Sequence, residues 1–305
     1  MDASHEAWRG YEKIRGRRVA GVLSLVLYTI VALGIVSRLV LHCRHKSESK
    51  RILFHVILLQ AIVGNMPFSI EAVFYPQSER WIASYIAELY ADSMLCCALA
   101  MLSISWARVA MIGQYERGPV RFRRFILGLA GFVLISTFGT AAGILVYADN
   151  STGADEFNTS VLNLFVVSIG SILILFTSAL VLFQATRIYR RMLQSRSMLG
   201  PSDFSRSSIK LFVSVWIILL CNTLRVFFIV CDGAEFNFVE TMDIVPHTVW
   251  ASLVPDVFPV ICLLYLQRRM PTSSPTSQTS APSDDVLSTA TTTLDVHWNE
   301  HRDIR

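Results

Sequence analysis

The chain has 305 residues, of which 53 % are hydrophobic and only 16 % are charged, and its mean hydropathy is +0.48. Soluble domains are about 45–50 % apolar and about 25 % charged, so this composition excludes an ordinary soluble enzyme domain. Six cysteines are too few for a secreted protein held together by disulfides. The net charge is +4, but the basic residues lie between apolar runs, so membrane topology explains them better than a nucleic-acid partner does.

Seven apolar runs of about 20 residues predict an all-α, polytopic membrane protein embedded in the lipid bilayer. Residues 1–18 are polar and basic without an apolar stretch, so we expect the first span to serve as its own signal anchor. Residues 19–270 then form the seven-helix domain. The predicted spans are 19–41, 52–75, 82–106, 125–148, 161–185, 209–231 and 244–266.

The distribution of basic residues predicts the orientation. The first, third and fifth loops with their helix ends, together with Arg268 and Arg269 directly after the last span, carry 18 Lys and Arg residues, whereas the N-terminal segment and the remaining loops carry six. The positive-inside rule therefore places the N-terminus outside or in the lumen and the C-terminus in the cytosol. The fourth loop contains two N-glycosylation sequons, at Asn150 and Asn158, on the side where this modification occurs.

The residues after the last span, 271–305, are dominated by Ser, Thr and Pro in their first part. Such a composition buries too little apolar surface to fold, which predicts a disordered cytosolic tail. The tail is either a passive terminus or a docking segment controlled by phosphorylation.

Charges inside the predicted spans are costly and face partners or water, and five such residues occur: Glu71, Glu88, Asp92, Arg225 and Asp256. Glu71 lies near the outer end of its span, where its side chain can reach the interface. Glu88 and Asp92 are four residues apart and share one face of the third span. Arg225 and Asp256 lie on consecutive spans, so an ion pair between them is reasonable, with Asp92 as the rival partner. These residues form either a charge pair that fixes helix packing or a polar cavity for a ligand or an ion.

Pro255 and Pro259 flank Asp256 in the seventh span. Proline removes a backbone donor and disturbs the helical hydrogen-bond ladder, which membrane helices tolerate where neighbours satisfy the freed carbonyls. We therefore expect a kink here, which is either static or a moving hinge.

No residue pattern indicates catalysis, a cofactor or a metal. The spans contain no lysine that could form a retinal Schiff base, and Ser105 and Ser168 have no base placed to activate them. His55 and His247 begin spans at opposite membrane faces and cannot share a metal ion. We expect a protein that is not an enzyme.

The fifth loop with its helix ends is the predicted docking surface for cytosolic proteins. Its serines lie beside arginines, so phosphorylation there would change both charge and partner preference. The alternative is that the basic residues only set topology and bind anionic lipid head groups. The candidates are Arg187, Arg190, Arg191, Arg196, Arg206 and Lys210.

Several short motifs resemble the tobamovirus multiplication protein family of seven-helix membrane proteins. The last helix has an acid, a proline three residues on, an apolar run, a basic pair, an apolar residue and a proline. Arg225 with Asp232, Phe54-His55 and Trp106-Ala107 are also similar to family positions. The motif of the last helix runs from Asp256-Val257-Phe258-Pro259 to Leu266-Gln267-Arg268-Arg269-Met270-Pro271.

This resemblance implies an integral protein of endomembranes, often vacuolar, with the plasma membrane as the alternative. Family members anchor viral replication proteins in plants with a small GTPase as partner, and they have been compared with G-protein-coupled receptors. Three hypotheses follow. The leading one is a docking protein for cytosolic partners, the second is a receptor-like signalling protein with an outer polar cavity, and the third is a small-solute transporter.

Overall fold

The chain is all-helical throughout the described residues, and seven of its helical segments are long and apolar enough to cross a membrane. This confirms the predicted class and the number of spans. The computed structural model describes residues 3–45, 49–75, 82–110, 117–150, 160–194, 201–233 and 242–267. The predicted tail at 271–305 lies outside these ranges.

Within these described ranges, nine α-helices and one π-helical turn make up the seven spans. The second span comprises two helices, and the seventh comprises two helices with the π-helical turn between them. In chain order the elements are α1 (Ala3–Arg44), α2 (Ser49–Gly64), α3 (Met66–Phe74), α4 (Ile82–Ala110), α5 (Arg117–Asn150), α6 (Val161–Gln194), α7 (Pro201–Gly233), α8 (Ile244–Thr248), the π-helical turn (Val249–Leu253) and α9 (Val254–Leu266).

Two elements differ from the predicted boundaries. The first helix begins at Ala3, so most of the polar segment at 1–18 continues the first span as a helix. The second span breaks at Asn65, where Pro67 occupies the first turn of the following helix. Proline is tolerated in a first turn because its missing N–H has no intrahelical partner there, but it interrupts a helix that runs through it. Hydropathy could not show this break, because both halves are apolar.

The third span, α4, lies at the centre of the bundle. In its apolar window 61 % of the residues are buried, against 22–44 % in the other six spans. It packs against α2, α3, α5 and α6, while α1 and α7 both pack against α9. The main core cluster draws on six helices, α1, α2, α4, α6, α7 and α9. Ile35, Leu58, Leu99, Ile218 and Leu263 are among its fully buried members.

Polar side chains within the spans are largely satisfied by their own helix. Ser24, Thr29, Ser178 and Thr223 each donate a hydrogen bond to the carbonyl four residues earlier, at 2.7–2.9 Å. Hydroxyls that bond in this way can lie in hydrocarbon at little cost. Large apolar side chains face outward along the spans, as lipid contact requires. Examples are Leu33, Ile135, Val161, Ile172 and Leu220.

Candidate functional site

Arg225 on α7 lies between two carboxylates from different helices. Its Nη1 contacts Oδ1 of Asp92 on α4, and its Nη2 contacts Oδ1 of Asp256 on α9. The side chains of Arg225 and Asp256 are each 6 % exposed and that of Asp92 is 20 % exposed. The sequence left Asp92 and Asp256 as rival partners of Arg225, and the structure uses both.

The second oxygen of Asp256 binds two further side chains. Its Oδ2 accepts hydrogen bonds from the Tyr28 hydroxyl at 2.5 Å and from Nδ2 of Asn65 at 2.9 Å. Asp256 therefore connects α1, the break between α2 and α3, and α7 to its own helix. We refer to Tyr28, Asn65, Asp92, Arg225 and Asp256 as the Arg225 network.

Sequence reasoning missed Tyr28 and Asn65. A lone tyrosine in an apolar span is common, and nothing in its sequence position shows that its hydroxyl reaches a carboxylate. Asn65 carried a usable signal, since an amide two residues before Pro67 inside an apolar run marks a backbone irregularity. The sequence places Glu88 on the same helical face as Asp92, but in the structure the Glu88 side chain is exposed, one helical turn before Asp92.

Backbone irregularities in two spans position this network. Asn65 lies in the turn between α2 and α3, and its backbone N–H donates a hydrogen bond to the backbone carbonyl of Ile62 at 3.2 Å. Asp256 falls in the first turn of α9, directly after the π-helical turn Val249–Leu253. π-Helical turns inside α-helices often occur at functional sites. Pro255 and Pro259 are both buried on either side of Asp256, and the kink expected from them stays a prediction.

The network lies near the middle of the membrane. Asp92 is ten residues from the start of α4, which corresponds to about 15 Å along the axis. Arg225 is eight residues before the end of α7, or about 12 Å, and Asp256 is twelve residues after the start of α8, or about 18 Å. Against a hydrocarbon core of about 30 Å, these depths leave bulk water too distant to solvate the charges. The ions must therefore be stabilised by one another.

Little empty space adjoins these charges. The void beside Asn65, Arg225 and Asp256 has a volume of about 10 Å³, and a single water molecule needs about 10–15 Å³. The network is thus closed in this conformation, and a ligand could reach it only if the helices moved. No group of three or more His, Cys, Asp or Glu residues suited to a metal ion occurs in the described ranges.

The predicted docking residues lie away from this network, at one end of the bundle. Arg187, Arg190 and Arg191 occupy the last two turns of α6, and Lys210 lies on α7. The guanidinium of Arg187 lies 5.6 Å from the centre of the Phe183 ring. Arg196 falls outside the described residues. Arg206 lies within α7, but its side chain is not among those described.

The two sequons lie between α5 and α6. Asn150 is the last residue of α5, and Asn158 lies outside the described residues. Asn150 thus precedes the start of α6 in the chain, whereas the basic residues of α6 lie at its other end, and the side on which the sequons lie stays a prediction.

Comparison with known proteins adds no family to these observations: no family model, no curated protein and no solved structure matches the chain.

Proposed function

We propose that this chain is a non-enzymatic, multi-pass membrane protein that docks cytosolic proteins on the basic ends of α6 and α7. The observation that carries the proposal is the length of these two helices. They contain 34 and 33 residues, which corresponds to about 51 Å and about 50 Å, whereas the hydrocarbon core is about 30 Å thick. Both spans therefore continue as helices beyond the membrane on the basic side. We refer to residues 187–194 and 201–210 as the basic helix pair.

The chemistry of the basic helix pair favours a partner with an acidic surface. Within the described part of the chain, no carboxylate contacts Arg187, Arg190 or Lys210. Tyr189 and Phe212 meet edge to face across the pair, with ring centres 5.0 Å apart, which holds the two helices together at this level. Cationic side chains on a rigid support can bind a carboxylate-rich surface at a small cost in conformational entropy.

The partner that we propose first is a small GTPase on an internal, vacuolar-type membrane, which the family resemblance implies. The positive-inside distribution and the position of the sequons support an orientation with the N-terminus outside or lumenal and the basic helix pair in the cytosol.

Glycosylation tests this orientation. A glycosidase that removes N-linked glycans is expected to increase the gel mobility of the wild-type chain but not that of the Asn150→Gln, Asn158→Gln double variant. A tag inserted at residue 154 is expected to be protected from protease in sealed microsomes. The orientation is wrong if neither asparagine carries a glycan and the tag is accessible from the cytosolic side.

Docking is tested by proximity labelling from a tag after Arg305. Replacing Arg187, Arg190 and Arg191 by Gln is expected to reduce labelling of the docked partner about tenfold, at about 0.5 kcal/mol for each charge removed from this partly exposed surface. The matched control replaces Arg121, Arg123 and Arg124, which are exposed on α5 at the same membrane face. Equal labelling by both triple variants and the wild type, at equal membrane abundance, would contradict the docking proposal.

A receptor-like signalling protein is the second candidate. It is favoured by the convergence of the broken second span and the π-helical turn on the Arg225 network, because such irregular elements can adopt two arrangements. In that case an external ligand would act by opening the closed network, and the partner would be a heterotrimeric G protein. Enrichment of G-protein subunits at the plasma membrane in the same labelling experiment would favour this candidate over the docking protein.

A further inference from the structure

An apolar groove runs along the outward face of α7 beside the end of α6. Its volume is about 420 Å³, within the range of about 300–1,000 Å³ typical of ligand sites. Its walls are almost entirely apolar or aromatic, and Trp216 and Leu220 are 54 % and 65 % exposed. The lining residues are Tyr189, Ser208, Ile209, Phe212, Val213, Trp216, Ile217 and Leu220.

The position of the groove identifies the chemistry of its apolar part. From Ser208 to Leu220 the lining extends over thirteen residues of α7, an axial rise of about 18 Å. One leaflet of the hydrocarbon core is about 15 Å thick. The groove therefore covers one leaflet, the one that adjoins the basic helix pair, and lies open to the surrounding lipid. A single acyl chain matches it in length, polarity and access.

The end of the groove nearest the basic helix pair is polar. Ser208 lines the groove, is 7 % exposed, and its Oγ has no hydrogen-bond partner among the described residues. A buried hydroxyl without a partner costs free energy, so this one is suited to bind a group from outside the chain. Lys210 lies one helical turn before Val213, at the edge of the same face.

We propose that this groove binds an anionic phospholipid. One acyl chain lies along Phe212, Trp216 and Leu220, the phosphate accepts a hydrogen bond from Ser208, and Lys210 pairs with the negative head group. Lysine and arginine between helices at a membrane surface form lipid head-group sites of this kind. The proposal does not rest on protein docking, since it needs only the groove and the two polar residues at its end.

Quenching of tryptophan fluorescence by brominated lipids tests the proposal, because bromine quenches only at contact. The full chain is reconstituted in nanodiscs of phosphatidylcholine and phosphatidylserine, with bromine on the acyl chains of either lipid. The chain has six tryptophans, so the contribution of Trp216 is taken as the difference from Trp216→Phe. We expect phosphatidylserine to associate with Trp216 about fivefold more strongly than phosphatidylcholine.

Trp250 is the control position for Trp216, because it is 50 % exposed but lies on the seventh span, away from the groove. The difference between the wild type and Trp250→Phe is expected to show no preference between the two lipids. The Ser208→Ala, Lys210→Gln double variant is expected to abolish the preference at Trp216, whereas Arg124→Gln is expected to leave it intact. Equal quenching of Trp216 by the two lipids, or a preference that persists in the double variant, would overturn the proposal.

Discussion

Replacing Arg225 by leucine is expected to lower the free energy of unfolding by about 3–5 kcal/mol. The substitution leaves the Asp92 and Asp256 carboxylates near the middle of the membrane without their shared cation. Hydrogen bonds from Tyr28 and Asn65 still reach Asp256, but neither donor carries a positive charge. The loss is measured by equilibrium unfolding in mixed micelles, followed by helical circular dichroism and by the reactivity of the buried cysteines.

Companion variants separate charge from packing. Adding Asp92→Asn and Asp256→Asn to Arg225→Leu removes every formal charge of the network, and we expect the triple variant to recover most of the lost stability. Tyr28→Phe removes one hydrogen bond and is expected to cost about 0.6 kcal/mol, the average for hydrogen bonds between membrane helices, and at most about 1.7 kcal/mol. If Arg225→Leu is no less stable than Tyr28→Phe, the two carboxylates do not need the charge of Arg225 to be stable in the membrane, and the prediction is wrong.

Replacing Gly64 by alanine is expected to destabilise the chain by about 1–3 kcal/mol through overpacking. A Cβ at this position would lie 2.9 Å from Cβ of Ala91 and 3.2 Å from the carbonyl oxygen of Ala87. Backbone atoms of α4 cannot move aside, so α2 must shift. Gly64 adjoins Asn65 and Ala91 adjoins Asp92, so this shift also pulls the Arg225 network apart.

Gly170 on α6 is the matched control. It is also partly buried within a membrane span, but a Cβ there would meet nothing within 4 Å. Alanine at Gly170 is expected to stabilise the chain by about 0.5–1 kcal/mol, because glycine in a helix interior is entropically costly. Both variants are compared with the wild type in the same unfolding assay. Equal stabilities for the two variants would show that close approach of α2 and α4 is unimportant.

Features that depend on local sequence could be predicted well. A span is recognised from the transfer of its own side chains into lipid, so the number and place of the seven spans follow from hydropathy. The same reasoning singled out Asp92, Arg225 and Asp256, because a charge in an apolar run is costly wherever its partner lies. The break in the second span was not predicted, because Asn65 and Pro67 hardly change the hydropathy of the run around them.

Partner choice could not be predicted in this way. Arg225 had two candidate carboxylates, and helical spacing along a single span contains no information about which neighbouring span lies opposite. The hydrogen bond of the Tyr28 hydroxyl could not be predicted for the same reason, because Tyr28 lies 228 residues from the carboxylate to which it donates. The position of Ser208 in a groove depends likewise on how the end of α6 lies beside α7.

The amino-acid sequence alone is enough to predict an all-helical chain with seven segments able to span a membrane, and to show that Asp92, Arg225 and Asp256 need partners. The packing of the helices was needed to show that Arg225 contacts both carboxylates, that Tyr28 and Asn65 complete the network, and that the void beside it is about the size of one water molecule. This division arises because burial in lipid is a property of one segment, whereas ion pairing depends on distances between segments.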